Sequence, residues 1–231
     1  MTHIALALHD KQGTYWPYIV TTLTSVFANS SIALHVHILH DDTFTPQARQ
    51  AIEQLCKKYG QQVTPHAMTL TPAMQKANVR HFSIAALYRL MLLQLLRNED
   101  LVIYLDADLI FNGVDIADLV QAIQSDPQQH PIAAVRDDLF TNNTSQRNEL
   151  DMLGIPEKEY FNSGLLGLRP QRIEIDFFLA LHTRSAAHPP IHEKPRALLA
   201  ANARPSQRRL PHPHQTTQTM KHRDKGLQRQ K

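Results

Sequence analysis

The chain has 231 residues, 26.3 kDa, 42% apolar and 19% charged residues, which gives room for one sizeable domain with a true core. A single cysteine, Cys56, excludes a disulfide framework and a cysteine-based zinc ribbon. No run of ~18 apolar residues exists to cross a membrane, and the opening MTHIALALHDKQ has no basic region of the secretory kind, so a cytoplasmic setting is the expectation.

The net charge of +3 is unevenly spread. Beyond Thr183 lie 11 of the 24 basic residues and 2 of the 21 acidic ones, so the last 48 residues carry +9 and residues 1–183 carry −6. A nucleic-acid reading of the whole protein thereby loses its main support.

In chain order, His3–Leu8 is a short apolar run ending in a polar turn and reads as a buried first strand. Pro17–Ala28 has helical spacing in Ile19, Val20, Leu23, Val26 and Phe27. Ala33–His40 is a second strand. Thr45 and Pro46 open a helix as N-cap and first helical residue, with Ala48, Ile52, Leu55, Cys56 and Tyr59 as its apolar face and Gly60 as its stop. Gln62–His66 is a third strand. Ser83 caps a further helix whose buried stripe is predicted as Ile84, Leu87, Tyr88, Met91, Leu92 and Leu95. Leu101–Leu105 is apolar throughout, as in a sheet covered on both faces, and strands follow at Ile132–Val135 and Leu165–Leu168. The alternation predicts an α/β domain with a mostly parallel sheet. Residues 184–231 hold six prolines, five histidines and no aromatic Phe, Trp or Tyr, too little apolar surface to offset chain entropy, and read as a disordered tail.

Four constellations carry chemistry. The first is Asp106-Ala107-Asp108, at the end of the apolar strand, where open α/β sheets bind ligands. Two carboxylates one residue apart either share a hard cation such as Mg²⁺ or Mn²⁺ with substrate phosphates or sit in a solvated turn. The second is Asn162-Ser163-Gly164, just before the last strand, either a close backbone approach to a ligand or an ordinary loop-to-strand transition. The third is Arg80-His81-Phe82-Ser83 followed by Arg89, whose guanidinium is either a solvated charge or a bidentate partner for a diphosphate. The fourth is His9-Asp10 with Tyr15, in the loop after the first strand, where the tyrosine either stacks on a base or covers the core.

Taken together, LALHD with Tyr15, HVHILHDD, VRHFSIAALYRL, VIYLDADLIF and YFNSGLLGLRP resemble glycosyltransferase family 8, the retaining nucleotide-sugar transferases that include bacterial lipopolysaccharide galactosyl- and glucosyltransferases. The resemblance spans residues 1 to about 180 and implies the nucleotide-diphospho-sugar transferase (glycosyltransferase-A) fold. It implies transfer of a hexosyl group from UDP-glucose or UDP-galactose to a saccharide or lipid-linked acceptor hydroxyl. By the same resemblance Asp106 and Asp108 hold Mn²⁺ or Mg²⁺, Tyr15 stacks on uracil, Leu8, His9, Asp10 and Ala107 lie against the nucleotide, Arg89 lies near the diphosphate, and Asn162, Ser163 and Gly164 line the donor sugar. His9 stands where the family often has Asp.

The family's D-Q-D-like segment and its H-x-x-G-x-x-K-P-W-like segment, source of a third metal ligand and a phosphate-binding Lys, do not occur in this sequence. The chain thus reads as a C-terminally truncated or frame-shifted member, with residues 1–183 as a partial transferase domain and 184–231 as a basic tail. The competing reading is a non-catalytic remnant that binds nucleotide weakly. A phosphatase-like hydrolase fits less well, since Ile110 stands where D-x-D-x-[TV] enzymes need Thr or Val. The tail's charge suits non-specific contact with nucleic acid, or with an anionic membrane surface that would place the protein on the membrane's inner face.

Overall fold

The computed structural model describes residues 1–69, 84–137 and 160–173, together with 147, 148, 150, 151 and 156. Arg80, His81, Phe82, the Ser83 cap, Glu159 and the 184–231 tail lie outside the described residues.

Six strands form one sheet in the order β3-β2-β1-β4-β6-β5. These are β1 (Thr2–Leu8), β2 (Leu34–His40), β3 (Gln62–Ala67), β4 (Val102–Leu105), β5 (Ile132–Arg136) and β6 (Phe161–Leu168). Four helices accompany them among the described residues: α1 (Trp16–Ala28), α2 (Pro46–Lys58), α3 (Ala85–Leu95) and α4 (Ile116–Gln124). None is long and apolar enough to cross a membrane. The pairs β3/β2, β2/β1 and β1/β4 are parallel, while β6 runs against both β4 and β5. Five strands therefore point one way and β6 alone is reversed, which bears out the mostly parallel α/β reading.

Side-chain alternation along the strands divides the core in two. Ile4, Leu6, Leu8, Ile103 and Leu105 pack with Leu23, Val26, Ile52 and Ile116 from α1, α2 and α4. Ala5, Ala7, Val102 and Tyr104 face the other way, against Tyr88, Leu92 and Leu93 of α3. This two-sided cover is why Leu101–Leu105 reads as continuously apolar.

Local signals place α2 as the sequence predicts. Pro46 is its first residue, the Thr45 hydroxyl accepts the Ala48 N–H at 3.2 Å, and Gly60 takes φ +66° just past its end. The face of α3 is a correction. Its buried residues are Ala85, Tyr88, Leu92 and Leu93, whereas Leu95 is 40% exposed, and Ile84 stands at the N-cap without a side-chain bond. The helix is apolar nearly all round, so periodicity alone does not orient it. The small Ala5 and Ala7 on the sheet decide which stripe seats. The second correction concerns Asn162-Ser163-Gly164. These residues belong to β6 itself, because Phe161 and Asn162 pair with Arg136 and Val135 beyond a register shift at Ala134/Val135.

Candidate functional site

The strand order steps outward in opposite directions from β1 and β4, so the helical connections diverge there and leave a crevice beyond the carboxyl ends of these two strands. β1 delivers His9 and Asp10 to this crevice, and β4 delivers Asp106-Ala107-Asp108. Because β6 is reversed, its first residues, 162–164, come alongside the end of β4, and the Asp106 N–H bonds the Gly164 carbonyl at 2.7 Å.

Asp106 is the centre of the constellation. Its Oδ1 accepts the Tyr104 hydroxyl at 2.9 Å and lies 3.4 Å from an Arg89 guanidinium nitrogen. Arg89 also donates to the Ser163 carbonyl at 2.8 Å and to the Ala86 carbonyl at 3.1 Å, and its guanidinium carbon lies 4.7 Å from the centre of the Tyr104 ring. Burial pushes the Asp106 carboxyl above its usual range, against the pull of Arg89 and the Tyr104 hydroxyl, and the neighbouring Asp108 charge adds to the rise. Burial is likewise the main cause that raises the Tyr104 phenol. Asp108 is exposed. Tyr15 stands close enough that, after burial, the Asp108 and Asp106 charges raise its phenol. Tyr15, Arg89, Asp106, Asp108 and residues 162–164 are thus brought together.

Gly164 has a reason to be glycine. A Cβ there would stand 3.0 Å from Asp106 Oδ2 and 3.0 Å from the Asn162 amide oxygen, which already accepts the Gly164 N–H at 2.7 Å. The missing side chain leaves the Asp106 carboxylate uncovered on its Oδ2 side. Oxygen-only donors with excess negative charge suit a hard divalent cation, so Asp106 and Asp108 fit the Mg²⁺ or Mn²⁺ that the resemblance implies.

The remaining predicted residues have inward duties. Leu8 is wholly buried in the core, and Ala107 is 2% exposed. Asp10 is a buried carboxylate that accepts the backbone N–H groups of Thr14, Tyr15 and Trp16 at 2.8–2.9 Å, which caps α1 and fixes the backbone of Tyr15. His9 bonds through Nδ1 to the Asp41 carboxylate.

Two groups of residues escaped the sequence reading. Asp41 gathers His9, the Tyr88 hydroxyl at 2.7 Å, and the Thr43 hydroxyl and N–H at 2.6 and 3.0 Å. Burial alone would raise its carboxyl, but these bonds outweigh it and hold the group at about 2. Asp41 lines a cleft of about 500 Å³ with His40, Met68, Ile84 and Tyr88. The second group lies on α1. Thr22 Oγ1 lies 2.7 Å from the Ala107 carbonyl and 2.8 Å from that of Leu109. Ser25 Oγ accepts the Phe111 N–H at 3.0 Å, and the Asn29 amide donates to the Phe111 carbonyl at 3.0 Å. A hydroxyl, a hydroxyl and an amide at i, i+3 and i+7 clamp the chain that leaves Asp106. That polar stripe inside an otherwise apolar helix face was the available signal.

A family model described as Glycosyl transferase family 8 matches residues 3–178. A galactosyltransferase, LgtC, solved with donor and acceptor sugar analogues, superposes with a TM-score of 0.63 at 22% identity, covering 80% of this chain and 64% of that one. The bifunctional glycosyltransferase WbbM aligns at 0.61 and 17% identity over 79% of this chain and 34% of its own. Mouse xyloside xylosyltransferase 1 aligns at 0.54 and 15% identity over 80% and 76%. These likenesses establish the glycosyltransferase-A type of fold. The chain spans under two thirds of the length of the galactosyltransferase it matches. Among curated proteins, none matches the sequence.

Proposed function

The chain belongs to glycosyl transferase family 8, and on that premise we propose that it binds a UDP-hexose, UDP-glucose or UDP-galactose, in the β1/β4 crevice and transfers the sugar with retention to an acceptor hydroxyl. The observation that carries this reading is the seat of Arg89 between the Ser163 carbonyl, the Tyr104 ring and the Asp106 carboxylate, with Asp108 and Tyr15 beside it. A nucleoside diphosphate suits this combination: a fixed cation and carboxylates able to share a metal for the diphosphate, and an aromatic face for the base.

In this reading Tyr15 offers its ring to the uracil, held in place by the Asp10 cap. Residues 162–164 bring bare backbone to the donor sugar at Gly164. Arg89 keeps positive charge beside the carboxylates, where the departing UDP gathers negative charge on its β-phosphate. Asp106 and Asp108 are the residues that would hold Mn²⁺ or Mg²⁺, which would supply Lewis-acid neutralisation of the diphosphate. No side chain is assigned as a nucleophile. Partners proposed with this reading are a saccharide or lipid-linked acceptor and an anionic membrane surface for the basic 184–231 tail, with residues 1–183 as the transferase domain.

Hydrolysis of UDP-glucose and UDP-galactose by the full chain, with and without Mn²⁺, tests the reading, since hydrolysis needs no acceptor. Metal-dependent release of UDP from one donor supports it. Mn²⁺-dependent UDP binding without hydrolysis would favour the nucleotide-binding remnant. Absence of both would refute the site assignment.

A further inference from the structure

Four histidines share one face of the sheet, His3 and His35 at the amino ends of β1 and β2, His37 at the middle of β2 and His66 near the carboxyl end of β3. His3 of β1 stands opposite His35 of β2, His37 follows two residues on, and His66 of β3, in register with Leu39, lies diagonally beyond His37. All lie on the α3 face, near where that helix gives way to Glu99. We propose that His3, His35 and His37 form a binding site for a divalent transition ion of borderline softness, such as Zn²⁺, with Glu99 and His66 orienting the ligands from behind.

The distances support chelation. One nitrogen from each of the three rings lies within 4.8 Å of the other two. His3 Nδ1 and His37 Nε2 are 3.0 Å apart. Two imidazole nitrogens on one zinc, each bonded at ~2.0–2.1 Å, stand roughly 2.9–3.4 Å apart for angles between square and tetrahedral. The pair is therefore already at the bite of a metal, and the gap is bridged by a single proton in its absence.

The proton arrangement permits the exchange. Glu99 Oε2 lies 3.0 Å from His3 Nε2, which fixes the His3 proton on Nε2 and turns the Nδ1 lone pair toward His37. With no metal, His37 Nε2–H donates to that lone pair, and His66 Nε2–H donates to His37 Nδ1, 2.9 Å away. To take up an ion, His37 moves its proton to Nδ1 and donates it to His66 Nε2, while His66 carries its own proton on Nδ1. Each imidazole stays neutral, no net proton is lost, and no ring nitrogen between the partners is left unpaired. Glu99–His3–metal is the carboxylate–histidine arrangement that orients metal ligands and raises their basicity.

Only His37 of the three is buried, which leaves a route in past His3 and His35. Nitrogen donors select Zn²⁺, Ni²⁺ or Cu²⁺, whereas the all-oxygen Asp106/Asp108 pair suits Mg²⁺ or Mn²⁺. The two sites therefore discriminate by chemistry, and His3 and His35 lie at the amino ends of their strands whereas Asp106 follows the carboxyl end of β4.

The test uses the full chain stripped of metal, Co²⁺ as optical probe and Zn²⁺ as competitor. One equivalent of Co²⁺ should give the visible d–d absorption of a nitrogen-rich site, displaced by Zn²⁺, and Zn²⁺ should raise the thermal midpoint. His35→Ala should weaken Co²⁺ binding at least tenfold and abolish the midpoint rise, while Asp106→Asn/Asp108→Asn and replacement of the five histidines beyond residue 184 leave both unchanged. If His35→Ala fails to match the wild-type far-ultraviolet spectrum, His3→Gln, near the chain's first residue, provides the same comparison. No d–d absorption, absorption that survives the folded histidine variant, or absorption lost with the five tail histidines would each overturn the proposal.

Discussion

Thr22 offers a direct way to ask whether α1 holds in place the turn proposed to bind metal. Its side chain is 1% exposed, and its single hydroxyl proton is shared between the Ala107 and Leu109 carbonyls at 2.7 and 2.8 Å. Thr22→Val keeps the volume and replaces the donor with a methyl. The lost bond contributes about 1 kcal/mol, and the carbonyls left facing a methyl add to the cost, so roughly 2 kcal/mol of stability should disappear. Thr22→Ser keeps the donor and removes one buried methyl, about 0.8 kcal/mol. Urea unfolding should rank the proteins wild type, Ser, Val. If the hydroxyl tethers Asp106 and Asp108, calorimetry with Mn²⁺ should show UDP bound three- to tenfold more weakly by the Val variant, about 0.7–1.4 kcal/mol, and nearly unchanged by the Ser variant. A Val variant within ~0.3 kcal/mol of wild type in stability, which is the additivity error of such measurements, would refute the tether. Equal loss of UDP affinity in both variants would do the same.

Asp108→Asn should weaken Mn²⁺-dependent UDP binding at least tenfold, about 1.4 kcal/mol, by calorimetry. Gly164→Ala places a methyl 3.0 Å from the Asp106 carboxylate and should lower UDP affinity several-fold while the unfolding midpoint in urea moves little. Asp10→Ala removes the acceptor of three N–H groups at the start of α1 and should cost about 2 kcal/mol in thermal unfolding. The Asp41 carboxyl, held at about 2 when folded, contributes stability that is complete above pH 4 and is lost as pH falls through 2. Tyr88→Phe removes one of the bonds that depress it, so the acid loss of stability, followed by urea unfolding from pH 5 downward, should start near pH 4 as in wild type but be smaller in total and end at a higher pH.

Much of the fold was legible because its causes are local. The Thr45-Pro46 start and Gly60 stop of α2 are capping chemistry within a few residues, and a strand apolar at every position announces burial on both faces. Asp106 and Asp108 at the end of that strand were identifiable as a candidate site for the same reason, since a buried strand has only its end to offer a ligand. The orientation of α3 was not legible, because a helix of almost uniform apolarity has no preferred face until a neighbour with small residues supplies one. Asp10 read as a ligand contact because sequence places it in the right loop, but not which way its carboxylate turns. The three N–H groups at the start of α1 take it inward.

What only the tertiary structure decided is the assembly of the site. That Gly164 and Ser163 meet Asp106 and Arg89 depends on β6 entering the sheet in reverse between β4 and β5, a pairing across 60 residues of chain that no nearby residue encodes. The Thr22 clamp on the turn after Asp106 and the meeting of His3, His35 and His37 have the same origin. Hydrogen bonds and chelating distances between distant segments exist only after strand order and register are set, and these follow from the packing of the whole sheet rather than from the residues that come to touch.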